Sequence, residues 1–220
     1  MPVKEKEIYT LGIAILGNFN PSIITPHWLA NKGLIRNSEA DSAKVDIIHP
    51  EISRFELRDW LTVEISQSRA DFKTKRESEF MAMRDLICGL FSLLKETPIE
   101  AMGINHLVHF TLKDFKEYEN FGYWFSPVKT FGDVLHEPKL QNIQYVESKK
   151  ENNEDGTFRF IISPSDLILD SKSVLFNINH HFINDGKTTK EFLDLLNSKW
   201  DYSFKKVDTL NKAVWNKVVL

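Results

Sequence analysis

Phe80-Met81-Ala82-Met83-Arg84-Asp85-Leu86-Ile87-Cys88-Gly89-Leu90-Phe91-Ser92-Leu93-Leu94 and, beyond Thr97-Pro98, Ala101-Met102-Gly103-Ile104-Asn105-His106-Leu107-Val108-His109-Phe110-Thr111-Leu112 are the strings on which the fold turns. In the first, Phe80, Met83, Ile87, Leu90 and Leu94 recur every three or four residues, so they share one face of a helix. Ala82, Leu86, Phe91 and Leu93 widen that face to more than half the circumference, the pattern of a helix laid across a sheet. Thr97-Pro98 stops it, because proline disfavours helical geometry at the residue before it. In the second string Met102, Ile104, His106, Val108, Phe110 and Leu112 alternate with Ala101, Gly103, Asn105, Leu107, His109 and Thr111, the two-residue period of a strand. This bears on fold and not on chemistry.

Working outward towards the N-terminus, Ile8 to Phe19 reads as a strand stopped by Asn18-Phe19-Asn20-Pro21. Pro26 at a first helical position, with Thr25 as N-cap, predicts a short helical turn that Asn31-Lys32-Gly33 ends. Arg36 to Lys44 is polar and reads as a loop. Four short strands follow, Val45–His49, Ile52–Leu57, Trp60–Ser66 and Arg69–Thr74. Leu61, Val63 and Ile65 alternate with Thr62, Glu64 and Ser66, and one solvated face points to an antiparallel sheet.

Towards the C-terminus, Leu112 to Phe121 predicts a second helix, and Phe121-Gly122-Tyr123-Trp124-Phe125-Ser126-Pro127 is a ring cluster closed by proline. No period runs from Pro127 to Pro138. Asn142–Glu147 and Thr157–Ser163 read as a hairpin with a hydrophilic tip from Ser148 to Gly156. Ser173–Ile183 is an alternating strand ended by Asn184-Asp185-Gly186. Thr188 or Thr189 caps a helix carrying Phe192, Leu195, Leu196 and Trp200, and Phe204 to Trp215 reads as a last helix or tail. The expectation is an α+β protein, mostly antiparallel sheet with helices on one face. Residues 1–220 form one domain, with two subdomains meeting near 127–139 as the alternative. Gly103-Ile104-Asn105-His106 and Asn177-Ile178-Asn179-His180 place Ile and His on one face and Asn on the other, which raises a duplication of the unit.

With 42% hydrophobic and 27% charged residues the composition is that of a globular protein, and 16 Phe, 5 Trp and 5 Tyr predict a core built on rings. A chain of this length buries roughly 70% of the surface its unfolded form exposes. A net charge of −3 gives no global attraction to nucleic acid or an anionic membrane, although a local basic patch stays open. Cys88 is the single cysteine, so an internal disulfide and a zinc site built on several cysteines are excluded. The charged opening Met1 to Glu7 has no apolar leader core, and no run approaches the ~20 apolar residues of a membrane span. The expectation is a cytoplasmic protein with no membrane partner.

Candidate chemistry is sparse. His106 and His109 lie three apart on a strand and diverge, as do His180 and His181. His106 and His180 from neighbouring strands, with Asn105 and Asn179 in support, form the alternative histidine site, which requires both imidazoles to meet in one pocket. Cys88 has neither a helix N-terminus nor a dominant basic neighbour to lower its pKa, and reads as an inert thiol. No phosphate-binding loop or nucleophile elbow is present. No catalytic or metal-ligating set is assigned and no cofactor is expected. Tyr123, Trp124 and Phe125 are the binding candidates, with core packing as the plainer alternative. Stacking on single-stranded nucleic acid is a third option, weakened by the mixed charge around them.

Ser173-Val174-Leu175-Phe176-Asn177-Ile178-Asn179-His180, then Glu191-Phe192-Leu193-Asp194-Leu195-Leu196, Phe204 and Leu210 to Trp215 resemble an uncharacterised protein family sporadically distributed in bacteria. The family also places a strand like Ile104-Asn105-His106-Leu107 directly after a long helix. The resemblance covers the last two thirds of the chain, at the level of pattern. The family tends to carry aspartates where this chain has Asn177 and Asn179. The resemblance carries no catalytic residues, and its distribution implies a mobile-element or defence setting. The functional expectation is a non-enzymatic accessory, immunity, antitoxin or phage-related factor acting through a protein partner or as a homodimer. A metal-dependent or histidine-based enzyme is the alternative.

Overall fold

The two strings form the elements their periods predict. The computed structural model describes residues 4–147, 156–168, 172–184 and 188–218. Strand β1 (Ile8–Gly17) is followed by helices α1 (Pro26–Asn31) and α2 (Asn37–Asp41). A meander β2 (Lys44–Ile48), β3 (Ile52–Leu57), β4 (Leu61–Ser66) and β5 (Arg69–Thr74) then leads to α3 (Phe80–Leu93). The second half runs β6 (Ile99–Thr111), α4 (Phe115–Phe125), β7 (Ile143–Val146), β8 (Thr157–Pro164), β9 (Ser173–Ile183) and α5 (Thr189–Lys217). All paired strands are antiparallel, in one sheet ordered β2-β3-β4-β5-β1-β6-β9-β8-β7.

That order is a repeat about the β1–β6 seam. On each side a first strand sits at the centre, its chain leaves through helix, returns as a meander from the outside inwards, and ends in a helix. The halves join at Leu94–Pro98, between α3 and β6, rather than in 127–139, where a loop without period lies inside the second half. The similar strings that raised the duplication are not its equivalent positions. They belong to β6 and β9, which pair within one half, Ile104 opposite His180 and Asn105 opposite Asn179.

One face of the sheet carries the core. Ile13 and Ile15 of β1, Phe72 of β5, Ile104, Val108 and Phe110 of β6, and Phe176 and Ile178 of β9 are sealed beneath α3 and α5. Each such side chain contributes on the order of 2 kcal/mol by leaving water. Phe80, Met83, Leu86, Ile87, Leu90 and Phe91 of α3 are buried, whereas Ala82 and Leu93 lie on its outer side, so the apolar face is narrower than composition implied. Gly89 of α3 lies against Leu34, in the space a Cβ would need.

Three further differences have local causes. Arg36 to Lys44 contains a turn of helix, α2, closed by a hydrogen bond from the Arg36 N–H to the Glu39 carboxylate. Helix α4 starts later than expected, capped by Asp114, and runs through the ring cluster until Pro127 forces Ser126 into extended backbone. Helix α5 is a single helix of 29 residues, about 43 Å long. No glycine or proline interrupts it, and Ser203, Val207 and Asn211 continue the buried stripe of Phe192, Leu196 and Trp200 across a run that reads as polar. Residues 148–155 of the expected hairpin tip, and Asp185 and Gly186 of the expected turn, lie outside the described residues.

Candidate functional site

Helical geometry separates the three adjacent rings of α4 by about 100° each. Phe121 is sealed against Phe176 and Trp215, at centroid distances of 6.1 and 5.3 Å. Phe125 follows it inward at 5.0 Å. Trp124 stays 44% exposed and packs edge-on to Phe125 at 4.9 Å. Tyr123 turns the other way, towards Glu119, Pro138 and Lys139. The structure therefore brings Trp124 and Phe125 to one site and removes Tyr123 from it.

That site is an apolar groove of about 850 Å³ between α4, the β7–β8 edge of the sheet and α5. Phe158 and Phe160 form its floor, with Tyr145 stacked 6.1 Å from Phe160 at its edge. Tyr202 and Leu210 of α5 form the wall facing Trp124. The rim is basic: Lys205 and Lys217 are exposed, while Lys206 pairs with Glu147 and lies 4.5 Å over the Phe158 ring. Its size is that of sites that take a small molecule or a few side chains of a peptide. Its aromatic content is that of interface anchors. Sequence reasoning found Trp124 and Phe125 but missed Tyr145, Phe158, Phe160, Tyr202 and Leu210. One readable signal exists: Tyr202, Lys206, Leu210, Ala213 and Lys217 repeat at helical spacing as a second stripe on α5, beside the buried one.

The histidine alternative resolves into two separate polar contacts. His106 and His180 project from β6 and β9 into the helix-covered face, and both are sealed from solvent. His106 Nδ1 lies 2.6 Å from the Tyr9 hydroxyl and Nε2 lies 3.0 Å from Ser203 Oγ, so one ring nitrogen donates and the other accepts. Burial, reinforced by His180, pushes the His106 pKa down to about 3, and burial raises that of Tyr9. A serine, an imidazole and a phenol in hydrogen-bonded line is an arrangement of nucleophile, base and orienting group. Here Ser203 and His106 are wholly buried, so the line ties β1, β6 and α5 together, and only its Tyr9 end, 7% exposed, borders a cleft, one of about 500 Å³ beside Lys6, Glu77 and Asp208. His180 packs among Phe158, Phe182 and Tyr202. Asn105 and Asn179 lie on the opposite face of the sheet, where Asn179 Nδ2 donates to Asn105 Oδ1 at 2.6 Å.

Among the described residues no group of three or more His, Cys, Asp or Glu side chains is placed to hold a metal. Cys88 is half-buried, and burial raises its thiol pKa. Among the described residues no helix is long and apolar enough to cross a membrane. No family model, curated protein or solved structure matches the chain.

Proposed function

We propose that this protein is a non-catalytic interaction factor whose working surface is the Trp124 groove, which receives an apolar segment of a protein partner. The observation that carries this reading is an aromatic groove open to solvent, with Trp124, Tyr145 and Tyr202 each at least about a third exposed around a sealed floor of Phe158 and Phe160. Large rings left in water at one place mark a surface meant to be covered. The resemblance to a sporadically distributed bacterial family supports an accessory, immunity, antitoxin or phage-defence setting for that partner.

A photo-crosslinking residue placed at position 124, with a control at the exposed Met81 of α3, identifies the partner in the native host extract. The purified partner then binds wild type, and Trp124→Ala weakens it by about thirtyfold, the value of a hot-spot ring worth ~2 kcal/mol. Met81→Ala leaves the affinity unchanged. Equal crosslinking from both positions, or full affinity in Trp124→Ala, overturns the assignment. Stoichiometric metal in the natively purified protein that disappears in His106→Ala or His180→Ala also overturns it, in favour of the histidine-based enzyme.

A further inference from the structure

The repeat about the β1–β6 seam is incomplete. Counting outwards, β1 corresponds to β6, β5 to β9, β4 to β8 and β3 to β7. The first half has one more strand, β2, outside β3. Among the described residues nothing pairs with the outer side of β7, and the chain before it forms only the 3-10 turn Val128–Phe131 and loop. Among the described residues the place of a tenth strand is therefore unfilled, and it lies along the mouth of the Trp124 groove, to which β7 gives Tyr145 and Val146.

The backbone of β7 is oriented to accept that strand. The Glu147 N–H donates to the Phe158 carbonyl, and Ile143 and Tyr145 share its parity in the antiparallel register. Those residues bond to β8, so Gln144 and Val146 direct their N–H and C=O groups outwards. A strand laid beside them would send alternate side chains to the helix-covered face, beside Tyr145 and into the groove. The others would lie on the opposite face, where exposed Arg159 of β8 stands across from Val146, one strand in from the edge. Lys205, Lys206 and Lys217 border the first set. Among the described residues lining the groove, Glu147 is the one acidic side chain, and it is paired with Lys206.

We infer that β7 is the docking edge of the site and that its occupant is an extended, acidic segment of a partner protein, which adds as a tenth antiparallel or parallel strand and drops alternate apolar side chains into the Trp124 groove. This rests on the interaction reading above and names its partner chemistry. Main-chain bonds to Gln144 and Val146 would supply affinity, and the groove would supply specificity. A second copy of this chain fits less well. Joining two β7 edges would bring the basic rims together, and β2, the other edge, carries Lys44 and Asp46, which cancel.

The test uses the full-length protein and a short fluorescein-labelled peptide in which Glu alternates with Val and Phe, beside a counterpart with Lys for Glu. The acidic peptide is expected to bind at micromolar concentration and to weaken as salt rises, with the lysine peptide at least about tenfold weaker. Val146→Pro removes one outward N–H on an edge strand, a position where proline is tolerated. It is expected to keep the wild-type unfolding temperature and to lose at least about tenfold in peptide affinity, whereas Met81→Ala on the outer side of α3 keeps both. Equal binding by Val146→Pro and wild type overturns strand addition while leaving the groove reading intact, because Trp124→Ala reports on that separately. No binding of the acidic peptide at ~1 mM, or preference for the lysine peptide, overturns the partner chemistry. A concentration-dependent dimer that Val146→Pro abolishes replaces the partner by a second copy and also overturns the proposal.

Discussion

Acid is the perturbation that isolates the buried Tyr9–His106–Ser203 line. In the folded protein His106 is neutral, its pKa held down to about 3 by burial first and by His180 second. In the unfolded chain it titrates near 6.5. As pH falls through 6.5 the unfolded state gains a proton that the folded state refuses, so stability is present above pH 6.5 and is lost progressively down to about pH 3. At 1.36 kcal/mol per pH unit, the gap corresponds to roughly 5 kcal/mol in full, of which about 2 kcal/mol is lost between pH 7.5 and pH 5. His106→Gln keeps a polar side chain between Tyr9 and Ser203 and removes the titration. Urea unfolding followed by tryptophan fluorescence at pH 7.5 and 5.0 gives the two stabilities. The variant is expected to be less stable at pH 7.5, by about 1–3 kcal/mol for an imperfectly satisfied buried line. Its pH-dependent loss should be about 2 kcal/mol smaller than that of wild type. His109 and His181, whose pKa values burial also lowers, titrate in both proteins and cancel in the difference. Identical pH dependence in the two proteins would refute the reasoning, because His106 would then not be a neutral buried ring.

Three further outcomes follow from the packing. Gly17→Ala places a Cβ onto the Pro98 carbonyl oxygen at the register shift between β1 and β6, and is expected to cost about 1–3 kcal/mol in chemical denaturation. Thr188→Ala removes the hydroxyl that caps Glu191 N–H at the start of α5 and should cost about 1 kcal/mol, with Thr188→Ser restoring most of it. Asn179→Ala breaks the 2.6 Å bond to Asn105 on the half-buried open face, and is expected to lower stability by about 1 kcal/mol while leaving partner binding at the Trp124 groove unchanged.

Periodicity was sufficient for most of the elements, but not for α2 inside the polar run Arg36 to Lys44 or for the bounds of α4. The strings around α3 and β6, the four short strands before them, the Thr25 cap and the pairing of β7 with β8 all fall where their residues place them, and of the two threonines offered for α5 the cap is Thr188, because these patterns are local. The unity of α5 was less visible. Ser203 and Asn211 are polar letters at buried positions, and only the tertiary stripe shows that they continue the helix face. The equivalence suggested by Ile104-Asn105-His106 and Ile178-Asn179-His180 failed for a related reason. Two strands that pair with each other come to look alike because they line the same two faces, whether or not they are repeats.

The α+β class, the antiparallel character of the sheet and the ring cluster at Tyr123 to Phe125 are legible in the chain alone. Each is set by spacings of a few residues, over which backbone geometry is periodic. Which of those rings lie together is set by the tertiary packing. It turned Tyr123 away, set Trp124 and Phe125 beside Tyr145, Phe158 and Tyr202, and sealed His106 and His180 within the core. These contacts depend on strand order across the β1–β6 seam and on the path of one long helix over the second half. Such contacts join residues tens of positions apart, and no local period encodes them.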